Sequence, residues 1–130
     1  DLLYFQAASL SANKALQQAG IQTHELSFFE YFDAFSIYAV LSLEACGLAE
    51  RGQGWKFFQN GDHLPCATFG GLKARGHPGG ATGVYQAVEA ALQLRGAAGS
   101  NQIPNAQFGL IQALGGPASI AISHVLQRLN

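Results

Sequence analysis

The sequence predicts an α/β domain, and two observations carry that prediction. Stretches with helical periodicity alternate with short apolar stretches of strand type, and glycine or proline marks most of the boundaries. The last two strand-type stretches follow one another directly across Gly115, Gly116 and Pro117. The alternation predicts a layered fold with helices on both faces of a β-sheet, and the two closing strands make that sheet mixed.

Three helices are expected. Residues 1–19 carry a stripe of mostly small side chains and stop before Gly20, a residue type that commonly ends helices. Residues 34–46 are apolar almost all round, which is typical of a helix buried between layers. Residues 81–94 show the spacing of an amphipathic helix. Its apolar stripe consists of Val84, Val88, Ala91 and Leu92.

Strands are expected at four places, and residues 48–64 form an irregular excursion between a helix and a strand. The first candidate strand is rich in aromatic residues, and the last alternates apolar side chains on one face. The predicted strands are residues 26–32, 66–72, 106–114 and 119–126.

A glycine-rich loop at residues 70–83 is the stretch around which the other elements are organised. It holds six glycines and a single ionisable side chain of catalytic type, His77, which stands between Gly76 and Pro78. Proline fixes φ and suits the first turn of a helix, so the histidine is predicted in a tight loop before the third helix. That position suits proton transfer or hydrogen-bond donation to an oxyanion.

Three ordered blocks of the sequence resemble the C-terminal half of the thiolase superfamily. One is Gly-Gly-Leu-Lys-Ala-Arg-Gly-His-Pro-Gly-Gly-Ala-Thr-Gly at 70–83 together with Gln-Leu-Arg-Gly-Ala-Ala-Gly at 93–99. The others are residues 26–47, which contain Phe-Asp-Ala-Phe, and Leu-Gly-Gly-Pro-Ala at 114–118. The resemblance covers nearly the whole chain and is strongest to the branch of sterol-carrier-protein-type and archaeal-type thiolases.

This resemblance implies a thiolase-like half domain spanning residues 1–130 and a role for its histidine. In the family, a cysteine of the N-terminal half takes the acyl group of a coenzyme A thioester. The histidine of Gly-His-Pro activates that cysteine and helps to form an oxyanion hole, and His77 matches that histidine. The glycine loops near it match the family's substrate-binding loops. The matching residues are Gly76, Pro78, Gly79, Gly80, Gly115 and Gly116.

Two positions depart from the family pattern. Phe32 stands where the family has a polar residue that completes the oxyanion hole, and a phenyl ring cannot donate a hydrogen bond. Loss of one such donor typically slows catalysis by a factor of about 100 to 1,000. Ala113 stands where typical thiolases have an acid/base cysteine. Neither Cys46 nor Cys66 matches the family nucleophile, although Cys66 lies close enough in sequence to leave an approach to His77 open.

The resemblance implies half of an acyl-CoA acyltransferase of the acetyl-CoA acetyltransferase type. A coenzyme A thioester is then the substrate, and no covalently bound cofactor is expected. Two alternatives stay open: retro-aldol cleavage of a coenzyme A thioester on the same scaffold, and a non-catalytic acyl-CoA-binding or assembly module. The isolated chain is expected to be inactive, because the family nucleophile is not on it.

Assembly with further protein is expected from composition as well as from the resemblance. Charged residues make up only 12% of the chain, against roughly 25% in ordinary domains, which indicates surface intended for burial. The resemblance implies an N-terminal thiolase half on the same or a separate chain, and an opening strand that would lie upstream of Asp1. A homodimer or swapped assembly would cover the exposed face, and enzymes of the retro-aldol type pair with a small OB-fold protein.

Several function classes are disfavoured by the composition. The formal net charge of −1 and the lack of a Lys/Arg run argue against nucleic-acid binding. The sequence shows no apolar stretch of membrane-spanning length and no signal peptide, which predicts a cytoplasmic protein. The spacing of His, Cys, Asp and Glu does not resemble a zinc site. Two cysteines do not make a disulfide framework.

Overall fold

A computed structural model describes residues 1, 3–59, 61 and 63–129. Four α-helices and three β-strands are present among these residues, with short 3₁₀ turns between them. The first helix begins at Gln6 rather than at residue 1, because Phe5 ahead of it has a non-helical ψ of 74°. The elements are α1 (Gln6–Ala19), β1 (Phe28–Glu30), α2 (Ser36–Ala45), α3 (Gly71–Arg75), α4 (Thr82–Leu94), β2 (Phe108–Gly115) and β3 (Ile120–Gln127).

The three strands form one mixed sheet in the order β1-β2-β3. β1 runs parallel to β2, with Phe29 opposite Leu110. β2 runs antiparallel to β3, with Gly115 opposite Ile120 at the turn. The predicted α/β class and mixed sheet are therefore confirmed.

Alternate side chains of the central strand β2 divide the core into two layers. Leu110 packs with Ala12 and Leu16 of α1, whereas Ile111 packs with Ala90 of α4. Successive strand residues point to opposite faces. Helices α1 and α2 therefore cover one face of the sheet and α4 covers the other.

The predicted strand at residues 66–72 is wrong. Within this described segment only Cys66 makes a strand-type contact, a parallel bridge to Phe29. The chain turns away because Ala67, Gly70 and Gly71 have positive φ angles of 47°, 87° and 61°, which a β-strand does not allow. Helix α3 begins at once, and it leads directly into the histidine loop.

Helix α4 turns polar side chains toward the sheet and part of its apolar stripe toward solvent. Val84 and Val88 are 64% and 52% exposed, whereas Gln86 is 1% exposed. The amide Nε2 of Gln86 donates to the backbone oxygens of Tyr31, at 2.8 Å, and Gln112, at 3.0 Å. These hydrogen bonds satisfy the NH₂ group of the buried amide. The predicted third helix is therefore confirmed, but its two exposed valines do not pack in the core of this domain.

Candidate functional site

A cleft of about 930 Å³ lies where β1 and β2 end. Its walls come from the segment after β1, from the loop before α4, and from the turn after β2. In open α/β sheets, ligands bind at the carboxyl ends of the strands. Of the residues singled out in the sequence, the cleft is lined by Phe32, His77, Gly79, Gly80, Ala113, Gly115 and Gly116.

His77 is an exposed side chain held in place at one end of its ring. Gly76 ends α3 with a φ of +83°, and its N–H bonds to the carbonyl of Leu72 at 2.9 Å. The ring nitrogen Nδ1 of His77 lies 2.8 Å from Oγ1 of Thr82, the first residue of α4. Since Nδ1 is occupied, Nε2 is the nitrogen available to a ligand in the cleft. Gly76 and Pro78 shape this loop without lining the cleft wall.

Phe32 lies beside the histidine, where the chain leaves β1. The two ring centroids are 5.2 Å apart at an interplanar angle of 86°, an edge-to-face contact. The phenyl ring is 8% exposed and packs in a cluster with Phe5, Leu41 and Leu114. It fills the space beside His77 with an apolar surface that cannot donate a hydrogen bond.

Two carboxylates that the sequence analysis did not single out for the site anchor the histidine loop. Oδ1 of Asp33 accepts the backbone N–H of Leu72 at 3.0 Å, at the start of α3. Nη1 of Arg75, at the end of α3, donates to both carboxylate oxygens of Glu89 at 3.0 Å. The short helix before His77 is therefore tied to the strand segment at one end and to α4 at the other.

The ion pair below the loop lies in a region with more acidic than basic groups. Burial raises the pKa of Glu89 to about 7, against the lowering effect of Arg75, and the charges of Glu30 and Asp33 raise it further. Burial also raises the pKa of Glu30, which is 1% exposed and accepts the backbone N–H of Thr68 at 3.0 Å. Burial and the neighbouring acidic charges therefore favour the protonated form of the Glu89 carboxyl group.

Neither cysteine lines the cleft. Cys46 is 1% exposed and accepts a hydrogen bond from Nε2 of Gln112 at 3.4 Å. Cys66 donates its thiol proton to the carbonyl of Leu64 at 3.3 Å. Burial raises the pKa of both thiols. Buried, protonated thiols are poor nucleophiles, so the structure does not support the approach of Cys66 to His77.

The fold and the sequence together define the class of this protein. The family model described as "Thiolase C-terminal domain-like" matches residues 1–128, so the chain belongs to that family. Among curated relatives, it is 37% identical over 133 residues to the acetyl-CoA acetyltransferase of Methanothermobacter thermautotrophicus. It is 34% identical over 124 residues to sterol carrier protein 2 of Homo sapiens.

The matches cover most of this chain but only part of each relative. The alignment spans 98% of this chain and 35% of the archaeal acetyltransferase, and 92% of this chain and 23% of the human protein. Among solved structures, a chain of the "Ltp2-ChsH2(DUF35) aldolase" superposes with a TM-score of 0.80 at 24% identity. That match covers 93% of this chain and 31% of the other. At that identity it shows the shared fold.

Proposed function

We propose that this chain is the C-terminal half of a thiolase-like acyl-CoA acyltransferase of the acetyl-CoA acetyltransferase type. The cleft takes the thioester end of an acyl-CoA, and His77 hydrogen-bonds the thioester oxygen. The observation that carries this proposal is the geometry of His77: an exposed ring in a concave site, with one nitrogen held by Thr82 at 2.8 Å and the other free for a ligand. Family membership and the archaeal acetyltransferase relative support it.

The glycines around the cleft allow a ligand to approach the backbone closely. Gly79 and Gly116 adopt φ angles of +58° and +57°, and a Cβ at Gly79 or Gly80 would meet nothing within 4 Å. Open backbone of this kind leaves room for a thioester and exposes peptide N–H groups to it. Phe32 and Ala113 remove two polar groups that thiolases use, so His77 carries a larger share of the site's chemistry.

The nucleophilic cysteine, in this proposal, comes from an N-terminal half on the same or another chain. The outward side chains of α4, Val84, Tyr85 and Val88, are 64%, 48% and 52% exposed. On β3, Ile120 and Ile122 are 63% and 58% exposed. An apolar surface of this extent beside the cleft fits a protein interface. The N-terminal half would cover it, either within one molecule or in a dimer.

The outer edge of the sheet supports the same assembly. β3 pairs with β2 on one side, and among the described residues no strand pairs with its other side. Exposed strand edges are normally paired or blocked. In this proposal the N-terminal half also covers this edge of the sheet.

Retro-aldol cleavage of a coenzyme A thioester, with a small OB-fold partner, is the second candidate. The edge-to-face contact of Phe32 with His77 favours it, because the second oxyanion donor of a thiolase is replaced by an apolar ring. Chemistry that needs one carbonyl-polarising group tolerates this change better than thiolase chemistry does. A non-catalytic acyl-CoA-binding module is the third candidate function, and the residues Phe32 and Ala113 favour it as well.

A single experiment separates these functions. The complete two-half protein is incubated with acetyl-CoA and a panel of longer acyl-CoAs, and acyl-enzyme is measured by mass spectrometry. Acyl-enzyme that is lost in His77→Ala but kept in His24→Ala, an exposed histidine on another turn, supports the acyltransferase. Binding of acyl-CoA without acylation, together with cleavage of the Cα–Cβ bond of a separately supplied 3-hydroxyacyl-CoA to a carbonyl compound and a shorter acyl-CoA, points to the aldolase. Binding without either reaction points to the binding module, and no binding at all contradicts all three.

A further inference from the structure

The hydrogen bond between Thr82 and His77 decides which ring nitrogen carries the proton. Thr82 is 2% exposed, whereas His77 is an exposed side chain. Their contact, Oγ1 to Nδ1 at 2.8 Å, joins a buried hydroxyl to a ring that otherwise faces the cleft. In a neutral imidazole one nitrogen is a donor and the other an acceptor, and the partner of one nitrogen sets the state of the other.

The surroundings of Thr82 settle the direction of this hydrogen bond. Among the described residues, His77 Nδ1 is the one hydrogen-bond partner recorded for Oγ1 of Thr82. If the hydroxyl accepted from Nδ1–H, its own hydrogen would stay unpaired in a buried place. If the hydroxyl donates to Nδ1, only an oxygen lone pair stays unused. An unpaired buried donor costs more than an unused lone pair.

We propose that Thr82 is a positioning residue that holds His77 in the tautomer with its proton on Nε2. The inference rests on the proposed function for its ligand: the Nε2–H group then donates to the carbonyl oxygen of the bound thioester. In this state Nε2 has no lone pair with which to take a thiol proton. His77 therefore enters the reaction as a hydrogen-bond donor that polarises the thioester carbonyl.

The substitution of Phe32 gives this tautomer its importance. The apolar ring lies 5.2 Å from the histidine ring and supplies no donor. The Nε2–H group is then the side-chain donor to the thioester oxygen at this position, and a histidine that exchanged freely between tautomers would present that donor only part of the time. A buried hydroxyl partner keeps the donor in place.

The test is a tautomer measurement that needs no ligand. The purified protein carries ¹⁵N-labelled histidine, and two-bond nitrogen–proton spectra are recorded at a pH where imidazole is neutral. The His77 signals are assigned by their loss in His77→Gln. Exposed His24 in the same sample reports the tautomer ratio of an unconstrained ring. His77 is expected to be more completely Nε2-protonated than His24.

Two variants of the hydroxyl complete the test. Thr82→Ser keeps the donor and is expected to keep the wild-type spectrum, whereas Thr82→Val removes it and should bring the His77 ratio to that of His24. A wild-type His77 protonated on Nδ1 overturns the proposal even if the valine variant does not fold. An unchanged ratio in a folded valine variant overturns it as well. Because no thioester is present, these outcomes are independent of the acyl-CoA experiment.

Discussion

At the scale of single residues, the site combines one polar ring with one apolar ring. His77 is exposed in the cleft and is held through Nδ1, while Phe32 is 8% exposed and packs edge-on against it. The phenylalanine contributes to the core as well as to the cleft. Substitutions at these two positions should therefore affect stability and activity in different proportions.

Replacing the histidine should abolish chemistry with little loss of stability. His77→Ala removes an exposed ring and one hydrogen bond, which costs about 1 kcal/mol, or a few degrees in melting temperature. In the complete protein, we expect acyl-enzyme formation to fall by a factor of at least about 100. His24→Ala is the matched control. A large drop in melting temperature with acyl transfer intact would show that the histidine serves the fold.

Restoring a polar group beside the histidine should raise or alter activity. Phe32→His places a possible donor in the oxyanion region, and regaining one such donor is worth up to about 100-fold in turnover. The variant should also melt at a lower temperature, because the ring is part of an apolar cluster. Phe35→His, at a cleft position that is 63% exposed, is the control. Equal turnover of the wild type and a folded Phe32→His variant would contradict the hypothesis that Phe32 leaves the oxyanion hole one donor short.

At the scale of elements, α3 and its contacts determine where the histidine loop lies. This helix has five residues, too few to be stable alone. Its first turn is held by Asp33, and its last residue is held by Glu89. The loop geometry therefore depends on side chains from β1's continuation and from α4.

The start of α3 should not tolerate a side chain. Gly71 has a φ of +61°, and an added Cβ would lie 2.4 Å from Oδ2 of Asp33. Gly71→Ala should lower the free energy of unfolding by about 1–3 kcal/mol, measured by urea denaturation. Gly80→Ala, where a Cβ meets nothing within 4 Å, should change stability little. Equal stability of the two variants would contradict the structural account of Asp33.

The carboxyl group of Glu89 should make stability depend on pH. Its pKa is raised from 4.5 to about 7 in the folded protein, so the folded state holds a proton that the unfolded state releases. The contribution of this group to stability is therefore present below about pH 4.5 and is lost as pH rises through about 7. The raised pKa of Glu30 acts in the same direction.

Melting temperatures measured across this pH range check the sign. Wild type should lose stability from the acidic to the neutral side, and Glu89→Gln should show a flatter profile at a lower overall stability. Glu50→Gln, at an exposed position, should keep the wild-type slope. A wild-type slope of opposite sign would mean that Arg75 stabilises the ionised carboxylate more than burial opposes it.

At the scale of the whole molecule, the exposed apolar side chains beside the cleft have the character of a protein interface. The valines of α4 and the isoleucines of β3 lie on the same side of the sheet as the cleft. We found no helix among the described residues with the length and hydropathy needed to cross a membrane. The proposed occupant is the N-terminal half of a thiolase-like protein.

Charge introduced on this surface should prevent assembly. Val88→Asp should weaken association with the N-terminal half by at least about tenfold, because it buries an unpaired charge, and should reduce self-association of the isolated chain, measured by light scattering. Leu10→Asp, at a 63% exposed apolar position on α1 across the sheet, is the matched control. A wild-type chain that is monomeric and does not bind the N-terminal half would contradict this interface.

Local sequence patterns predict a large part of the fold and of the candidate site. The continuous apolar stretch at residues 34–46 predicts α2, the apolar periodicity of residues 81–94 predicts α4, and glycine and proline around His77 predict a loop before a helix. The prediction of a strand at residues 66–72 was wrong because three positive φ angles redirect the chain. The sequence does not show that these residues adopt such angles. The sequence also did not predict the roles of Asp33 and Glu89, because each carboxylate bonds a partner at least 14 positions away.

The sequence by itself determined the α/β class, the family, and the identity of the histidine and phenylalanine that meet in the cleft, because ordered motifs and periodicities are local properties. Only the tertiary structure decided which face of α4 is buried and which nitrogen of His77 faces a ligand. The buried face of α4 depends on the hydrogen bonds from Gln86 to the backbone oxygens of Tyr31 and Gln112. The nitrogen that His77 leaves available depends on the hydrogen bond between the ring and buried Thr82. The hydrophobic pattern alone places Val84 and Val88 inside, whereas the structure buries Gln86, because the backbone carbonyls of Tyr31 and Gln112 need a hydrogen-bond donor.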